Sequence, residues 1–129
     1  MEAKSVVRTE AAPAPFQGAP YSQAIKAGGL VFVSGQVALQ PGSHDLVGET
    51  VEEQTEQVFA NLGAILEEAG SGLDRLVKTT VFLADLGDFQ AMNEVYARHV
   101  GEQPPARATV EVAALPSGAL VEIEAVAQA

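Results

Sequence analysis

The chain contains no cysteine. That absence excludes disulfides, thiolate nucleophiles and cysteine-based metal sites, and it fits a reducing compartment. Cations are scarce as well: 7 Lys and Arg against 17 Asp and Glu give a net charge of −10 and a pI near 4.4. Nucleic acid and anionic membrane both demand clustered cations. Lys4, Arg8, Lys26, Arg75, Lys78, Arg98 and Arg107 are scattered, so neither is expected as a partner. No apolar run approaches the ~20 residues of a membrane span. Met1-Glu2-Ala3-Lys4 lacks the basic and apolar regions of a signal peptide, and a cytoplasmic protein is expected. Metal spacing is absent, because His44 and His99 lie far apart and neither has a nearby second ligand. The glycines match neither nucleotide fingerprint, and no cofactor is expected. Charged residues are 19% of the chain, below the roughly 25% usual in soluble domains. The shortfall points to surface hidden in an oligomer.

The 129 residues suit one domain with one core, residues 1–12 forming an N-terminal strand and the start of a linker. Ser5 to Thr9 reads as the strand, and a Pro- and Ala-rich stretch runs on to Pro15. Ser22 to Val37 reads as a hairpin around Gly28-Gly29, which supply the positive φ of a tight turn. Thr50-Val51-Glu52-Glu53 is a capping-box pattern. The apolar spacing of Val51, Val58, Phe59, Leu62, Ile65, Leu66 and Ala69 then predicts a helix ending at Gly70. Leu76 to Leu83 is β-branched and predicts a strand; Asp88 is placed to cap a second helix to about Val100. Strands follow over Ala106 to Ala113 and Leu120 to Ala127. The fold class is α+β: about six strands in a mixed sheet, two helices on one face, the other face left to water or another subunit.

Alternation in the last two strands sorts their side chains. Ala106, Ala108, Val110 and Val112 form one small apolar row and Val121, Ile123, Ala125 and Ala127 another, both expected under the helices. Arg107, Thr109 and Glu111 would then share the uncovered face with Glu122 and Glu124. A guanidinium on a rigid strand offers a bidentate fork for a carboxylate or phosphate. Two readings of Arg107 stand: a structural ion pair with Glu111, Glu122 or Glu124, or a receptor for a small anion. A carboxylate close to Arg107 would keep a low pKa and position a water. Ser34, in Ser34-Gly35-Gln36, has no paired His; its hydroxyl and the adjoining backbone N–H groups can instead bind a ligand oxygen, or it is a plain strand-end serine. Tyr21 after Pro20 presents a ring and a hydroxyl from a loop, to a ligand or to packing neighbours.

Pro20-Tyr21-Ser22-Gln23-Ala24, Val33-Ser34-Gly35-Gln36, Val77-Lys78-Thr79-Thr80-Val81-Phe82-Leu83, Asp88-Phe89 with Asn93 and Tyr96, Pro105-Ala106-Arg107 and Val121-Glu122-Ile123-Glu124-Ala125 occur in this order. Together they resemble the Rid family of reactive-intermediate deaminases, also called the YjgF family, from Ala12 onward. The resemblance implies a chorismate-mutase-like fold and a homotrimer with active sites between subunits. It implies hydrolysis of enamines and imines such as 2-aminoacrylate to 2-keto acids and ammonia. Carried over by motif, Arg107 binds the substrate carboxylate and Glu122 orients the attacking water. Tyr21, Ser34 and the Gly35 backbone line the pocket, and Phe89 and Asn93 stand near its rim. Two positions depart from the family's usual pattern: Ala19 stands where a Gly often precedes Pro-Tyr, and Thr109 where many members carry Cys. Thr109 can still donate a hydrogen bond to substrate. The alternatives are a deaminase dedicated to an aminoacrylate- or aminomuconate-like intermediate and a non-catalytic, carboxylate-sensing trimer. Ribonuclease activity, described for some members, is opposed by the charge.

Overall fold

The computed structural model describes residues 3–129. Six strands, β1 (Ser5–Val7), β2 (Ala24–Ala27), β3 (Leu30–Gln36), β4 (Leu76–Leu83), β5 (Ala106–Glu111) and β6 (Val121–Gln128), are joined with two helices, α1 (Val51–Glu68) and α2 (Phe89–Val100). The strands make one mixed sheet in the order β1-β2-β3-β6-β4-β5. All neighbours are antiparallel except β4 and β5, which run parallel because α2 carries the chain back between them. The helices pack on one face, α1 across β3 and β6 and α2 against α1.

Local chemistry sets the helix ends. Thr50 Oγ1 accepts from Glu53 N–H at 3.1 Å, and Glu53 Oε1 accepts from the backbone of Thr50 at 3.1 Å and of Glu49 at 3.1 Å. Those bonds favour the ionised carboxylate and hold Glu53 below its ordinary pKa. At the other end Gly70, with φ of 80°, closes a Schellman turn. Its N–H reaches Glu67 O at 3.0 Å, and Ser71 N–H reaches Leu66 O at 2.8 Å. All seven apolar positions expected to face inward on α1 are buried. They meet Val31, Val33, Val81, Leu83, Val121, Ile123, Ala125 and Ala127 from the sheet in one core. The expected cap of α2 differs: Asp88 makes no side-chain cap, and Asp85 Oδ1 takes the Gly87 N–H at 2.8 Å in a tight turn just before the helix. The first strand stops at Val7 and the fifth at Glu111, each shorter than the pattern suggested.

Three buried amides tie loops to this core. Gln23 accepts from Thr9 N–H at 2.7 Å and donates to the carbonyls of Thr9, Ala12 and Pro13, folding the N-terminal linker onto β2. Asn61 on α1 donates to Val37 O and Leu39 O at 3.2 and 3.1 Å. Gln54 accepts from Leu120 N–H at 2.8 Å and donates to Gly48 O at 3.2 Å. A buried amide left unpaired costs about 1–3 kcal/mol, so each pairing fixes its loop. Of these, the stretch from Val37 to Leu39 borders the groove that holds Glu122.

The register corrects one expectation. β5 pairs with β4 so that Thr79 lies beside Arg107, Val81 beside Thr109 and Leu83 beside Glu111. Thr79, Val81 and Leu83 are all buried under the helices. Arg107 and Thr109 therefore sit on the helix side of the sheet, while Ala106, Ala108 and Val110 face the uncovered side and are exposed. On β6 the expected row holds: Val121, Ile123, Ala125 and Ala127 are buried, and Glu122 and Glu124 face away from the helices. Arg107 and Glu122 thus lie on opposite faces. Alternation in one strand says which residues travel together, but only pairing with a neighbour says which way they point.

Candidate active site

The eight candidate residues separate into two groups of four. Arg107, Thr109, Phe89 and Asn93 gather on the helix side, at the outer edge of the sheet. Asn93, Tyr96, Val100, Pro104 and Pro105 line a shallow groove there with Arg107. Phe89, Asn93 and Tyr96 fall at i, i+4 and i+7 of α2, so helical period alone aims them at one place. Arg107 Cζ lies 5.4 Å from the Phe89 ring centre and 4.7 Å from that of Tyr96. Among the described residues it has no ion pair. Glu111, one of its expected partners, is engaged elsewhere: it accepts from Leu86 N–H at 2.8 Å and braces the turn before α2. The structural ion pair is therefore replaced by two aromatic contacts, which leave the guanidinium charge uncompensated. Beside it Thr109 Oγ1 is buried and, among the described residues, has no hydrogen-bond partner.

The second group, Tyr21, Ser34, Gly35 and Glu122, lines a larger groove on the opposite side, with Phe16, Val37, Leu39, Pro116, Ser117 and Glu124. A bulge builds its floor. Val33 pairs with Ala125 and Gln36 with Ile123, so Ser34 and Gly35 together oppose the single residue Glu124. Ser34 Oγ donates to Ser22 O at 2.6 Å, which spends its proton on the loop carrying Tyr21 and leaves its lone pairs as acceptors. The half-buried Glu122 carboxyl is pushed above the ordinary carboxylate value, first by desolvation and then by the negative charge of Glu124. The low pKa expected from a neighbouring arginine does not arise, because Arg107 is on the far face.

Glycine at position 35 gives that carboxylate its room. A Cβ built there would collide with Glu122 Oε2 and lie 3.0 Å from Cδ. The φ of Gly35 is outside the left-handed region, so alanine fits the backbone and the carboxylate alone must yield. Gly35→Ala is expected to leave the thermal midpoint within a few degrees while displacing Glu122 and cutting any activity of this groove by about 10- to 100-fold. A crystal structure of the variant with Glu122 unmoved would remove this argument.

Sequence reasoning gave no site role to Phe16, Tyr96 or His44. Phe16 stands at the groove mouth, its ring edge-on to His44 at 5.3 Å. His44 has φ of 61° and its Nε2 contacts Ala14 O at 3.0 Å. It clasps the loop that carries Phe16. No spacing signal links positions 16 and 44; Tyr96, by contrast, was legible from its helical step after Phe89. His99, at the end of α2, meets Glu56 through its Nε2 at 3.1 Å.

The family model described as Endoribonuclease L-PSP matches residues 9–129, a span that holds both groups and every strand except β1. The chain belongs to that family, also known as the Rid or YjgF family. It is 51% identical over 125 residues to a RutC family protein of Pyrococcus abyssi, covering 97% of each chain. It is 47% identical over 124 residues to the 2-iminobutanoate/2-iminopropanoate deaminase of Mus musculus, covering 96% of this chain and 90% of the mouse protein. The crystal structure of RidA from an Antarctic Psychrobacter superposes with a TM-score of 0.91 at 45% identity, covering 97% of this chain and 99% of the other. The chorismate-mutase-like α+β fold of the Rid family, two helices on a six-stranded mixed sheet, is the fold of this chain.

Proposed function

We propose that this protein hydrolyses 2-imino acids and their enamine tautomers to 2-keto acids and ammonia, as a homotrimer whose active sites are shared between subunits. The observation that carries the reading is the free guanidinium of Arg107, a half-buried cation with an open fork in an otherwise acidic chain. Such a group is suited to a small monocarboxylate. The name of the mouse relative supplies the class of carboxylate: a 2-imino acid. Arg107 and Thr109 would hold the carboxylate and Asn93 and Phe89 would border it. Glu122 and the Ser34-Gly35 bulge would come from a neighbouring copy, because one chain presents them on the opposite face of its sheet. Exposed Val6, Phe32 and Val110 support a second copy against the uncovered face.

The chemistry needs no cofactor. Substrate binds as the iminium, its carbon already electrophilic. Water attacks that carbon while Glu122 accepts one of the water protons; the C=N π pair goes to nitrogen, giving a neutral amine on a tetrahedral carbon. Glu122 then returns its proton to that nitrogen. The hydroxyl oxygen closes to a ketone, the C–N bond breaks, and ammonia leaves with the hydroxyl proton passing to it as ammonium. A carboxylate with a raised pKa is matched to both halves of this cycle. RNA cleavage, implied by the family name Endoribonuclease L-PSP, is opposed by the −10 charge.

Imines generated in place by an L-amino acid oxidase provide the test, with ammonia release followed against pH. The wild-type protein is expected to accelerate release, with an acidic limb above the ordinary carboxylate range. There the ionised, proton-accepting Glu122 is lost as pH falls through its raised value. Glu124→Gln removes the second cause of the shift and should move that limb to lower pH. Linkage runs the other way for folding: a raised pKa contributes stability at low pH that is lost as pH rises through it, so Glu122→Gln should lose rate yet be more stable at neutral pH. Release no faster than in buffer, for every imine tried, would end the proposal.

A further inference from the structure

The two rings against Arg107 are not equivalent. Phe89 is 37% exposed at the first position of α2. Tyr96 is 5% exposed and held at both ends. Its hydroxyl shares a 2.6 Å hydrogen bond with Thr79 Oγ1, and Thr79 is fully buried and is the register partner of Arg107 on the adjoining strand. Its ring meets Phe59 edge-on at 5.4 Å and 78°. Phe59 in turn stacks on His99 at 4.6 Å and 6°, and Glu56 binds both His99 Nε2 at 3.1 Å and Arg98 at 3.0 Å. The ring under the guanidinium is thus anchored to the sheet through Thr79 and to α1 through Phe59.

A ring face attracts a cation through its quadrupole and takes up none of its N–H donors. A carboxylate in the same place would neutralise the charge and fill the fork, and an incoming anion would have to displace it. We infer that Tyr96 is a positioning residue for anion capture: its buried ring, packed edge-on against Phe59, holds Arg107 in the orientation a substrate carboxylate needs while leaving the charge and donors free. The inference rests on the carboxylate-binding role proposed for Arg107. It explains why the guanidinium is half-buried and yet carries no counter-ion among the described residues. Tyr96 does not touch substrate in this scheme; it acts through Arg107.

The experiment uses the assembled protein and 2-ketobutyrate as probe, titrated by calorimetry, with KM and kcat measured on the corresponding imine. Three replacements are compared: Tyr96→Phe, which keeps the ring; Tyr96→Met, which keeps approximate volume without a ring; and pentafluorophenylalanine at position 96, close to phenylalanine in shape with the quadrupole reversed. Tyr96→Phe should bind within about threefold of wild type, while the other two weaken binding roughly tenfold, with KM raised to match and kcat little changed. The neutral amide of the same keto acid should bind all four proteins alike. If Tyr96→Phe is as weak as Tyr96→Met, if the fluorinated ring binds as tightly as phenylalanine, or if acid and amide weaken together, the residue is merely structural and the inference is wrong. Should Tyr96→Met fail to fold, the phenylalanine and fluorinated proteins decide the matter between them. A wild type that does not bind 2-ketobutyrate overturns the role of Arg107 itself. A wild type that binds it, with no distinction among the rings, overturns only the role of Tyr96.

Discussion

Arg107→Ala is expected to abolish the acceleration of ammonia release from 2-imino acids while the protein stays folded and assembled. The guanidinium makes no ion pair among the described residues, so its removal orphans no buried carboxylate. The folded chain loses the contacts to Phe89 and Tyr96, worth about 0.5–2 kcal/mol together at a partly exposed site. The substrate loses far more. Each hydrogen bond to a charged group contributes about 1.5–3 kcal/mol, and a two-pronged grip lost from a desolvated carboxylate corresponds to roughly 100-fold or more in kcat/KM. Arg107→Lys should recover little, since an ammonium has neither the fork nor the plane that lies against the rings. The measurement is kcat/KM by ammonia release, with circular dichroism and size-exclusion chromatography as controls. Full rate in Arg107→Ala would refute the carboxylate clamp. Tight binding of 2-ketobutyrate by the wild type with no turnover of any imine would favour a carboxylate-sensing trimer instead.

Arg107→Ala and Glu122→Gln chains, each inactive alone, are expected to restore activity when reassembled together. The prediction follows from the register: the two residues face opposite sides of one sheet, so a site containing both draws them from different copies. In a mixed assembly some sites combine the intact Arg107 of a Glu122→Gln chain with the intact Glu122 of an Arg107→Ala chain. Random assortment of equal amounts around a closed ring makes about one site in four intact, and recovery of about a quarter of the wild-type rate is the expected yield. Native mass spectrometry verifies that the chains have mixed. No recovery in verified mixed assemblies would mean that the two halves do not meet across a subunit boundary, and the shared-site proposal would fall.

Much of the fold was legible because short-range physics decides it. The capping box at Thr50, the 3.6-residue apolar stripe of α1, the Gly28-Gly29 turn and the β-branched run of β4 each have one low-energy local solution, and the structure adopts it. Asp88 stands at the N-cap position of α2 as expected but makes no capping bond, and the turn before the helix is closed by Asp85 instead. The eight candidate residues came from motif resemblance and chemistry, and the structure gathers them into two compact groups rather than one. The pKa of Glu122 was expected to be low on the supposition that Arg107 stood beside it; burial and Glu124 raise it.

By itself the sequence determined the elements, their order, the acidic charge that argues against nucleic acid, and the residue types able to grip a carboxylate and take a proton from water. The tertiary structure alone decided which way each strand faces. A strand carries the same alternation whichever side is inward, and the difference lies in its pairing with β4, about thirty residues earlier in sequence. That pairing turned Arg107 under α2 and onto Tyr96, left Ala106, Ala108 and Val110 bare, and set the guanidinium and Glu122 on opposite faces. Long-range register, invisible to local pattern, is what makes a second copy of the chain necessary to the proposed site.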